Sequence, residues 1–358
     1  MNNNKITALQ KNIKEVDLFL ITGINNIFYL TGFTGSSAVL LVTKKDAVFF
    51  TDFRYKEQSA REVKLDCREA SSAKIVIVKN SLWTEIISHS IFKGVKKIGF
   101  EYSIDYSAYE YLKTKLKGKK LIPLRNKIED FRTIKNDYEI ATITKAVEIA
   151  DTVFASITRL IKPGISEEEI AVEFEYQIRK NGGSGISFPT IVASGLNAAL
   201  PHAIAGSRKI KNGDTVVFDC GAIYKKYCSD MTRTLIIGKN PLAEKVYKIV
   251  LNAQETAIKA IKPGVSLKKI DTIARNIITK AGYGKYFGHS LGHGIGLDVH
   301  ESPKSSPKSE DYAKPGMVFS VEPGIYLPGK LGVRIEDLVL VTDKGVKILT
   351  KSNKCAHL

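Results

Sequence analysis

The chain has 358 residues and a formal net charge of +17, with 44% hydrophobic and 25% charged residues. This length suits two domains, and the composition excludes a disordered or fibrous chain. The basic excess is spread evenly, with 23 basic and 14 acidic residues in 1–132 (+9) and 31 and 23 in 133–358 (+8), so we expect no nucleic-acid partner.

The sequence predicts a cytoplasmic protein that does not enter a membrane. Its apolar runs have the length of strands and are too short to span a bilayer. No charged start leads into an apolar stretch with a cleavage site, which argues against a signal peptide. The four cysteines form no CxxC pair, as is typical of a protein from a reducing compartment.

Residues 1–125 alternate helix-like and strand-like segments. Helical spacing covers Lys5–Glu15, and Asp17–Thr22 predicts a strand. The stretch SSAVLLVTKKDAVFFTD predicts two strands around a Lys44-Lys45-Asp46 turn, FRYKEQSAREV a helix, and KKIGFE a further strand. The alternation predicts an N-terminal α/β domain, which we end at residue 125 because the polar segment Leu124–Arg132 precedes a long helical stretch.

The second half, residues 126–358, contains an internal repeat. The segment IKPGISEEEI at 161–170 recurs as IKPGVSLKKI at 261–270, and VVFDCGAIY at 216–224 corresponds to FSVEPGIY at 319–326. In each copy a helix ends at Lys-Pro-Gly and a serine caps the next helix; Ser166 forms a capping box with Glu169. The repeat predicts two α+β units related by a pseudo-twofold axis, each with two helices and a β-hairpin.

Each predicted hairpin carries two acidic residues. Asp219 and Asp230 are equally far from a turn at Tyr224-Lys225, so antiparallel pairing places them opposite each other. Glu322 and Glu336 repeat this arrangement in the second hairpin. Carboxylates at such short range repel one another, and ionising them together requires a cation between them. The four acids therefore predict a metal site where the two hairpins face each other.

The segment YFGHSLGHGIGLDVHE between the hairpins supplies histidines. If it is extended, His289 and His293 share a face, so that one could be a metal ligand and the other a neighbour of the substrate. Its glycines oppose a helix, and Ser290 replaces the glutamate of a helical zinc-protease motif. Four carboxylates and one imidazole suit manganese first, with cobalt, iron or zinc as alternatives. Two divalent ions would balance four negative charges and could activate a water molecule.

These segments resemble the pita-bread metallopeptidases, and specifically the two-domain Xaa-Pro aminopeptidase and prolidase group. The resemblance is carried by PHAIAGSRKIKNGDTVVFDCGAIYKKYCSDMTRT, FGHSLGHGIGLDVHE, SVEPGIY and GVRIEDLVLV. It implies an α/β (α+β) chain, in which a creatinase-like N-terminal domain precedes a pita-bread catalytic domain. It also implies a homodimer that hydrolyses peptides with proline in the second position.

The resemblance assigns metal ligands at five positions: Asp219, Asp230, His293, Glu322 and Glu336. Asp230 and Glu336 would bridge two ions, Asp219 would hold one of them, and His293 and Glu322 would hold the other.

Further roles follow from the same resemblance. Glu322 would also act as the general base, and His289 would stabilise or protonate the tetrahedral intermediate. The remaining matches, implied to lie at the substrate, are His202, His300, Arg334 and Tyr326. Arg334 lies two residues from Glu336, on the same face of the strand, which also suits a brace for the metal ligands.

More than one activity fits this group. We expect an Xaa-Pro aminopeptidase, because TDFRY and GLDVHE resemble that side of the group. The alternative is an Xaa-Pro dipeptidase (prolidase), which must recognise the carboxylate of the proline. Methionine aminopeptidases resemble the second half alone, and creatine amidinohydrolase lacks the metal carboxylates. A non-catalytic binding module is the alternative from a different class; it would be expected to lose ligands, and none is lost here.

Overall fold

The computed structural model describes residues 5–67 and 73–357. The chain divides into two compact units, Met1–Arg132 and Thr133–Leu358. The boundary predicted between residues 125 and 126 lies shortly before α6 (Glu129–Thr133), the short helix in which this division falls. Within the described residues, no helix combines the length and the apolar character needed to cross a lipid bilayer.

The first unit is an α/β domain built on one mixed sheet. Its helices are α1 (Lys5–Asn12), α2 (Ile24–Thr31), α3 (Lys56–Glu62), α4 (Leu82–Ser88) and α5 (Tyr106–Lys115). Its strands are β1 (Leu18–Ile21), β2 (Val39–Thr43), β3 (Ala47–Asp52), β4 (Ala73–Val78), β5 (Lys97–Glu101) and β6 (Lys120–Leu124). The strand order is β4-β3-β2-β1-β5-β6, with antiparallel pairs only in the β1-β2-β3 meander.

This sheet is buried on both of its faces. Leu18 and Leu20 of β1 pack into one apolar cluster, and Phe19 and Ile21 pack into another. Successive side chains of a strand point to opposite faces, so the two clusters cover the two sides of the sheet. The predicted hairpin is confirmed: Val42 pairs with Ala47 across the turn of residues 44–46.

The second unit contains two copies of one arrangement. Its long helices are α7 (Asp137–Ile157), α8 (Glu167–Lys180), α9 (Pro241–Lys259) and α10 (Leu267–Lys280). The strands of the first copy are β7 (Gly185–Ile186), β8 (Ile191–Ser194), β9 (Thr215–Cys220), β10 (Ala222–Tyr224), β11 (Tyr227–Cys228) and β12 (Met231–Ile236). Those of the second are β13 (Gly292–Gly294), β14 (Glu301–Ser305), β15 (Val318–Val321), β16 (Gly324–Leu327), β17 (Leu331–Arg334), β18 (Asp337–Thr342) and β19 (Gly345–Ile348).

The predicted duplication is confirmed by equivalent packing. Each copy has its own apolar cluster, around Phe174 and Phe218 in the first and around Ile270 and Phe319 in the second. The sheet of the first copy has the order β12-β9-β8, and that of the second has the order β14-β13-β15-β18-β19. The capping box of Ser166 is present, whereas the side chain of Ser266 makes no capping hydrogen bond. The two copies therefore share a backbone plan and differ in side-chain detail.

The strand register corrects one prediction about the acids. Asp219 pairs with Thr232 and not with Asp230, because the hairpin turn is centred on Lys225-Lys226, one residue beyond the predicted position. Both lysines have positive φ, 46° and 75°, as a two-residue hairpin loop requires. Turns of this type favour Asn-Gly or Gly-Gly, so the sequence gives no signal for this one.

The second hairpin has the predicted register. Val321 pairs with Asp337, and Gly324 pairs with Arg334. Both pairs belong to one register, in which Glu322 stands opposite Glu336. In the first hairpin, moving the turn by one residue changes each residue's cross-strand partner by two positions. Asp219 and Asp230 therefore stay on the same face of the sheet.

Candidate active site

A cavity of about 530 Å³ in the second unit brings the predicted site residues together. The five predicted metal ligands that line it are Asp219, Asp230, His293, Glu322 and Glu336. The other predicted residues that line it are His202, His289, His300, Tyr326 and Arg334. Both copies of the repeat contribute side chains, so the site lies where the two hairpins approach each other.

Strand ends position the acids. Asp219 lies within β9, and Asp230 comes directly before β12. Glu322 follows β15, and Glu336 comes directly before β18. A hydrogen bond from Thr232 Oγ1 to Glu336 Oε2 (2.7 Å) joins the two copies at this point, and the Glu336 backbone N–H donates to Thr232 O at 3.0 Å.

Three of the predicted ligands form a tight group. One ligand atom each of Asp230, His293 and Glu336 lie within 4.8 Å of one another. His293 Nε2 is 3.6 Å from Asp230 Oδ2 and 3.2 Å from Glu322 Oε1. The Ser320 hydroxyl donates to Glu322 Oε1 at 2.9 Å and accepts from the His293 backbone N–H at 3.0 Å. Ser320 therefore holds His293 and Glu322 in place relative to each other. In the sequence, only the family resemblance connects these two residues.

Two carboxylate oxygens at this site are buried without a hydrogen-bond partner among the described residues. They are Asp219 Oδ1 and Glu336 Oε1. A buried polar atom normally has a partner, and a carboxylate oxygen without one is costly. Oxygen-rich sets that include one imidazole are suited to divalent cations such as manganese. The residues therefore fit a metal centre.

The pKa values of the buried acids also indicate a metal centre. Burial, followed by the charge of nearby Glu322 and Asp219, raises the pKa of Glu336 well above its usual range. Burial and the charge of Glu336 do the same to the pKa of Asp230. Divalent cations would favour the ionised form of both acids by offsetting this repulsion.

Arg334 is a brace for the acids and for an aromatic side chain. Its Nη2 donates to Asp219 Oδ2 at 2.6 Å, and its Nη1 donates to Tyr326 Oη at 2.7 Å and to Pro201 O at 3.2 Å. Its Nε donates to Thr232 Oγ1 at 3.0 Å. The sequence favours two roles for Arg334, one at the substrate and one as a brace beside Glu336. Its side chain is 4% exposed and its donors are directed at protein atoms, which supports the brace.

His289 continues this chain of hydrogen bonds. Its Nδ1 lies 2.8 Å from Ser290 O, and its Nε2 lies 3.0 Å from Tyr326 Oη. A carbonyl oxygen only accepts, so Nδ1 carries the proton, and in the neutral ring Nε2 accepts from the tyrosine. Burial lowers the pKa of His289 and favours this neutral form.

Helix α10 holds the segment that carries His289. Arg275 donates to Phe287 O and His289 O, both at 2.9 Å, while Asp271 binds Arg275 and the Leu291 N–H. His289 lies at a bend outside β13, so the predicted common strand face with His293 is wrong. Two charged side chains of α10, which the sequence patterns do not predict, therefore hold the backbone that carries His289 at the cavity.

His202 and His300 are the exposed histidines of the cavity. The His300 ring lies 4.3 Å from the His293 ring, centroid to centroid. Burial and the neighbouring His293 lower the pKa of His300. His202 lies on the loop between β8 and β9. Their predicted roles in binding peptide stay predictions.

Buried acids, imidazoles and an open cavity on this fold define a metal-dependent hydrolase. Residues 141–343 match the model of metallopeptidase family M24, and residues 5–134 match that of the Creatinase/Prolidase N-terminal domain. The chain therefore belongs to metallopeptidase family M24 and is a metalloexopeptidase of the Xaa-Pro aminopeptidase and prolidase group.

Relatives share both units of the chain. A solved Xaa-Pro dipeptidase from Bacillus anthracis is 41% identical, with a TM-score of 0.94 over 99% of each chain. The Xaa-Pro dipeptidase of Pyrococcus horikoshii is 39% identical over 351 residues, which is 98% of this chain and 96% of that protein. A solved X-Pro aminopeptidase from Thermotoga maritima is 36% identical, with a TM-score of 0.87 over 98% of this chain and 99% of that one.

Proposed function

We propose that this metalloexopeptidase is an Xaa-Pro dipeptidase, which hydrolyses the bond between the two residues of the dipeptide. The observation that carries the proposal is the likeness, over nearly the full length of both chains, to Xaa-Pro dipeptidases from two organisms. The aminopeptidase expected from the sequence is the second candidate. It is favoured by the Thermotoga maritima enzyme, whose TM-score of 0.87 is lower than the 0.94 of the Bacillus anthracis dipeptidase.

The proposed centre holds two divalent ions, with manganese as the preferred metal. Asp219, Asp230, His293, Glu322 and Glu336 would hold them, with ligands from both copies of the repeat. The two partnerless carboxylate oxygens and the hard donor set support this assignment. When bound, such ions supply polarisation of the scissile carbonyl and activation of water.

The chain's own residues would then position the substrate and move protons. Glu322, held by Ser320 and His293, would accept the proton of the attacking water. His289, whose Nδ1 is held by Ser290 O, would protonate or stabilise the tetrahedral intermediate through Nε2 once this nitrogen has taken up a proton. His202 and His300, exposed on the cavity wall, would hold the peptide on either side of the bond.

A homodimer located in the cytoplasm also belongs to the proposal. The homodimer is supported by the resemblance of the sequence to the prolidase group, and the location by the absence of a CxxC pair among four cysteines. Light scattering on the purified protein measures the first, because a dimer of the 39.5 kDa chain would have twice that mass.

The proposed activity is tested with Ala-Pro and Ala-Pro-Gly on manganese-loaded protein. A dipeptidase releases proline from Ala-Pro and leaves the tripeptide intact. Release of alanine from both peptides would favour the aminopeptidase, and cleavage of neither would reject both candidates. Asp230→Asn serves as the matched inactive control, because it removes one charge from the proposed ligands without changing the size of the side chain.

A further inference from the structure

Thr232 carries a buried hydroxyl that contacts the candidate metal centre, although Thr232 is not one of the predicted ligands. It lies in β12, is fully buried, and pairs across the sheet with Asp219 of β9. Its Oγ1 lies 2.7 Å from Glu336 Oε2 and 3.0 Å from Arg334 Nε. One hydroxyl group therefore contacts a predicted ligand and also the arginine that holds Asp219.

The chemistry of the partners fixes the direction of both hydrogen bonds. The Nε–H of an arginine can only donate, so Thr232 Oγ1 accepts from Arg334. The single proton of the hydroxyl is then donated to Glu336 Oε2. The backbone adds a second connection, because the Glu336 N–H donates to Thr232 O at 3.0 Å. Thr232 thus holds Glu336 at two points, one on its backbone and one on its carboxylate.

The second oxygen of the Glu336 carboxylate is left for another partner. Glu336 Oε1 is buried, and it has no hydrogen-bond partner among the described residues. The last torsion of a glutamate side chain is soft, so a hydrogen bond that fixes Oε2 also fixes the position of Oε1. Asp230 and His293 each offer a ligand atom within 4.8 Å of one on Glu336. The hydroxyl of Thr232 therefore keeps this carboxylate in one orientation beside two other predicted ligands.

The internal repeat shows that packing alone does not require this hydroxyl. Asp230 and Glu336 occupy equivalent positions in the two copies, and two residues further along stand Thr232 and Leu338. Leu338 is also fully buried, so an apolar side chain serves the second copy at this place. A buried hydroxyl is costly unless it is hydrogen-bonded, and the partners of Thr232 belong to the site. The contrast favours a role at the metal centre over a role in the core.

We propose that Thr232 is a positioning residue whose hydroxyl orients the Glu336 carboxylate and thereby raises the affinity of the centre for Mn²⁺. The inference rests on the proposed two-metal centre. Groups that hydrogen-bond to a metal ligand orient it, and their loss typically weakens metal binding by about 10- to 100-fold. Thr232 acts through Glu336 and contacts neither the metal nor the substrate.

The test measures Mn²⁺ binding to metal-free protein by isothermal titration calorimetry, with no substrate present. Thr232→Val removes the hydroxyl and keeps the shape of the side chain, whereas Thr232→Ser keeps the hydroxyl. Thr232→Ala is a second variant without the hydroxyl, for use if Thr232→Val does not fold. Circular dichroism of the metal-free protein checks the fold of each variant and gives its Tm.

Thr234→Val is the matched control on the same strand. Thr234 is 1% exposed, and its hydroxyl donates to Arg334 O at 2.8 Å and accepts from the Arg334 backbone N–H at 3.0 Å. The control therefore removes an equally buried hydroxyl with two hydrogen bonds, neither of which reaches a predicted metal ligand.

We expect Thr232→Val to raise the Kd for Mn²⁺ by about 10- to 100-fold, and Thr232→Ser to restore much of this loss. Thr234→Val should lower the Tm of the metal-free protein about as much as Thr232→Val does, while its Kd stays close to that of wild type. A Kd that Thr232→Val leaves unchanged, or that both valine variants raise equally, would overturn the inference and leave the metal centre in place. If wild-type protein binds no Mn²⁺, the proposed centre itself is wrong, and the inference fails with it.

Discussion

Arg233 is a buried arginine that holds the backbone next to the candidate metal centre. It is 1% exposed, and its guanidinium donates to the carbonyl oxygens of Thr232, Glu336 and Ser352. It also donates to Asp337 Oδ1 at 2.8 Å. Arg233 thus connects β12 to the start of β18 and to the C-terminal segment. One of its acceptors is the backbone carbonyl of Glu336, a predicted metal ligand.

Arg233→Met keeps an unbranched side chain and removes these donors. Asp337 retains the Lys354 ammonium at 2.6 Å and Gln254 Nε2 at 2.8 Å, so its charge stays compensated. The main cost comes from the carbonyls of Glu336 and Ser352, which lose a charged donor in a buried place. A buried acceptor that loses its donor costs about 1–3 kcal/mol, so the two carbonyls together cost about 2–6 kcal/mol. For a unit of this size, that loss lowers Tm by roughly 4–24 °C.

The assay is thermal and chemical unfolding of the manganese-free protein, followed by circular dichroism. Trp83, the sole tryptophan, lies in α4 and gives a separate fluorescence signal from the first unit. Lys354→Met is the matched control, because it removes another cation from Asp337 at a site where the lysine side chain is 20% exposed. We expect this control to lower the free energy of unfolding by about 1 kcal/mol. A loss for Arg233→Met no larger than that for Lys354→Met would refute the assignment.

Two further substitutions test the site and the repeat. His289→Ala should leave manganese stoichiometry unchanged and lower kcat by about a hundredfold, the scale of a lost acid–base or oxyanion contact; loss of metal would mean that His289 is itself a ligand. Ser166→Ala should destabilise the second unit by about 1 kcal/mol, because the side chain caps α8. Ser266→Ala is its control and should cost less, because Ser266 makes no side-chain cap to α10; equal losses would show that the capping box contributes nothing.

The sequence predicts which four acids come together, because their identity and spacing repeat. Two hairpins with acids at matching positions indicate a shared metal site whatever the details of the turns. The register of the first hairpin was wrong because Lys225 and Lys226 adopt positive φ without a glycine or asparagine to signal it. The error was an even number of residues, so Asp219 and Asp230 keep a common face, and both line the cavity with Glu322 and Glu336.

Sequence patterns do not predict the irregular backbone around His289. The bend that directs His289 depends on Arg275 of α10, and neither helical spacing nor strand alternation describes that contact. The hydrogen bond from Thr232 to Glu336 joins residues 104 positions apart. The sequence shows that both copies carry hairpins, but it contains no signal for which hydroxyl of one meets which acid of the other.

One buried acid outside the predicted site organises the loop that carries His202. Glu167 is fully buried at the start of α8. Its carboxylate accepts from the N–H and hydroxyl of Ser194 at 2.7 and 2.6 Å, from Asn197 Nδ2 at 3.0 and 3.1 Å, and from the Gly206 N–H at 3.4 Å. These donors lie on both sides of His202 in the chain, so Glu167 closes the loop from within.

The repeat shows that a carboxylate is not needed here for packing alone, because the second copy has Leu267 at the equivalent position, also fully buried. Glu167→Gln keeps the shape, but it turns one acceptor into a donor that faces other donors, which costs about 1–3 kcal/mol. We expect the loosened loop to raise KM for Ala-Pro more than it lowers kcat, since His202 is proposed to hold the peptide.

A double-mutant cycle with His202→Ala measures whether Glu167 and His202 act together. If Glu167 acts through His202, its substitution has little further effect on KM once His202 is gone. An equal rise of KM in both backgrounds would show that Glu167 supports the unit as a whole and does not position this histidine.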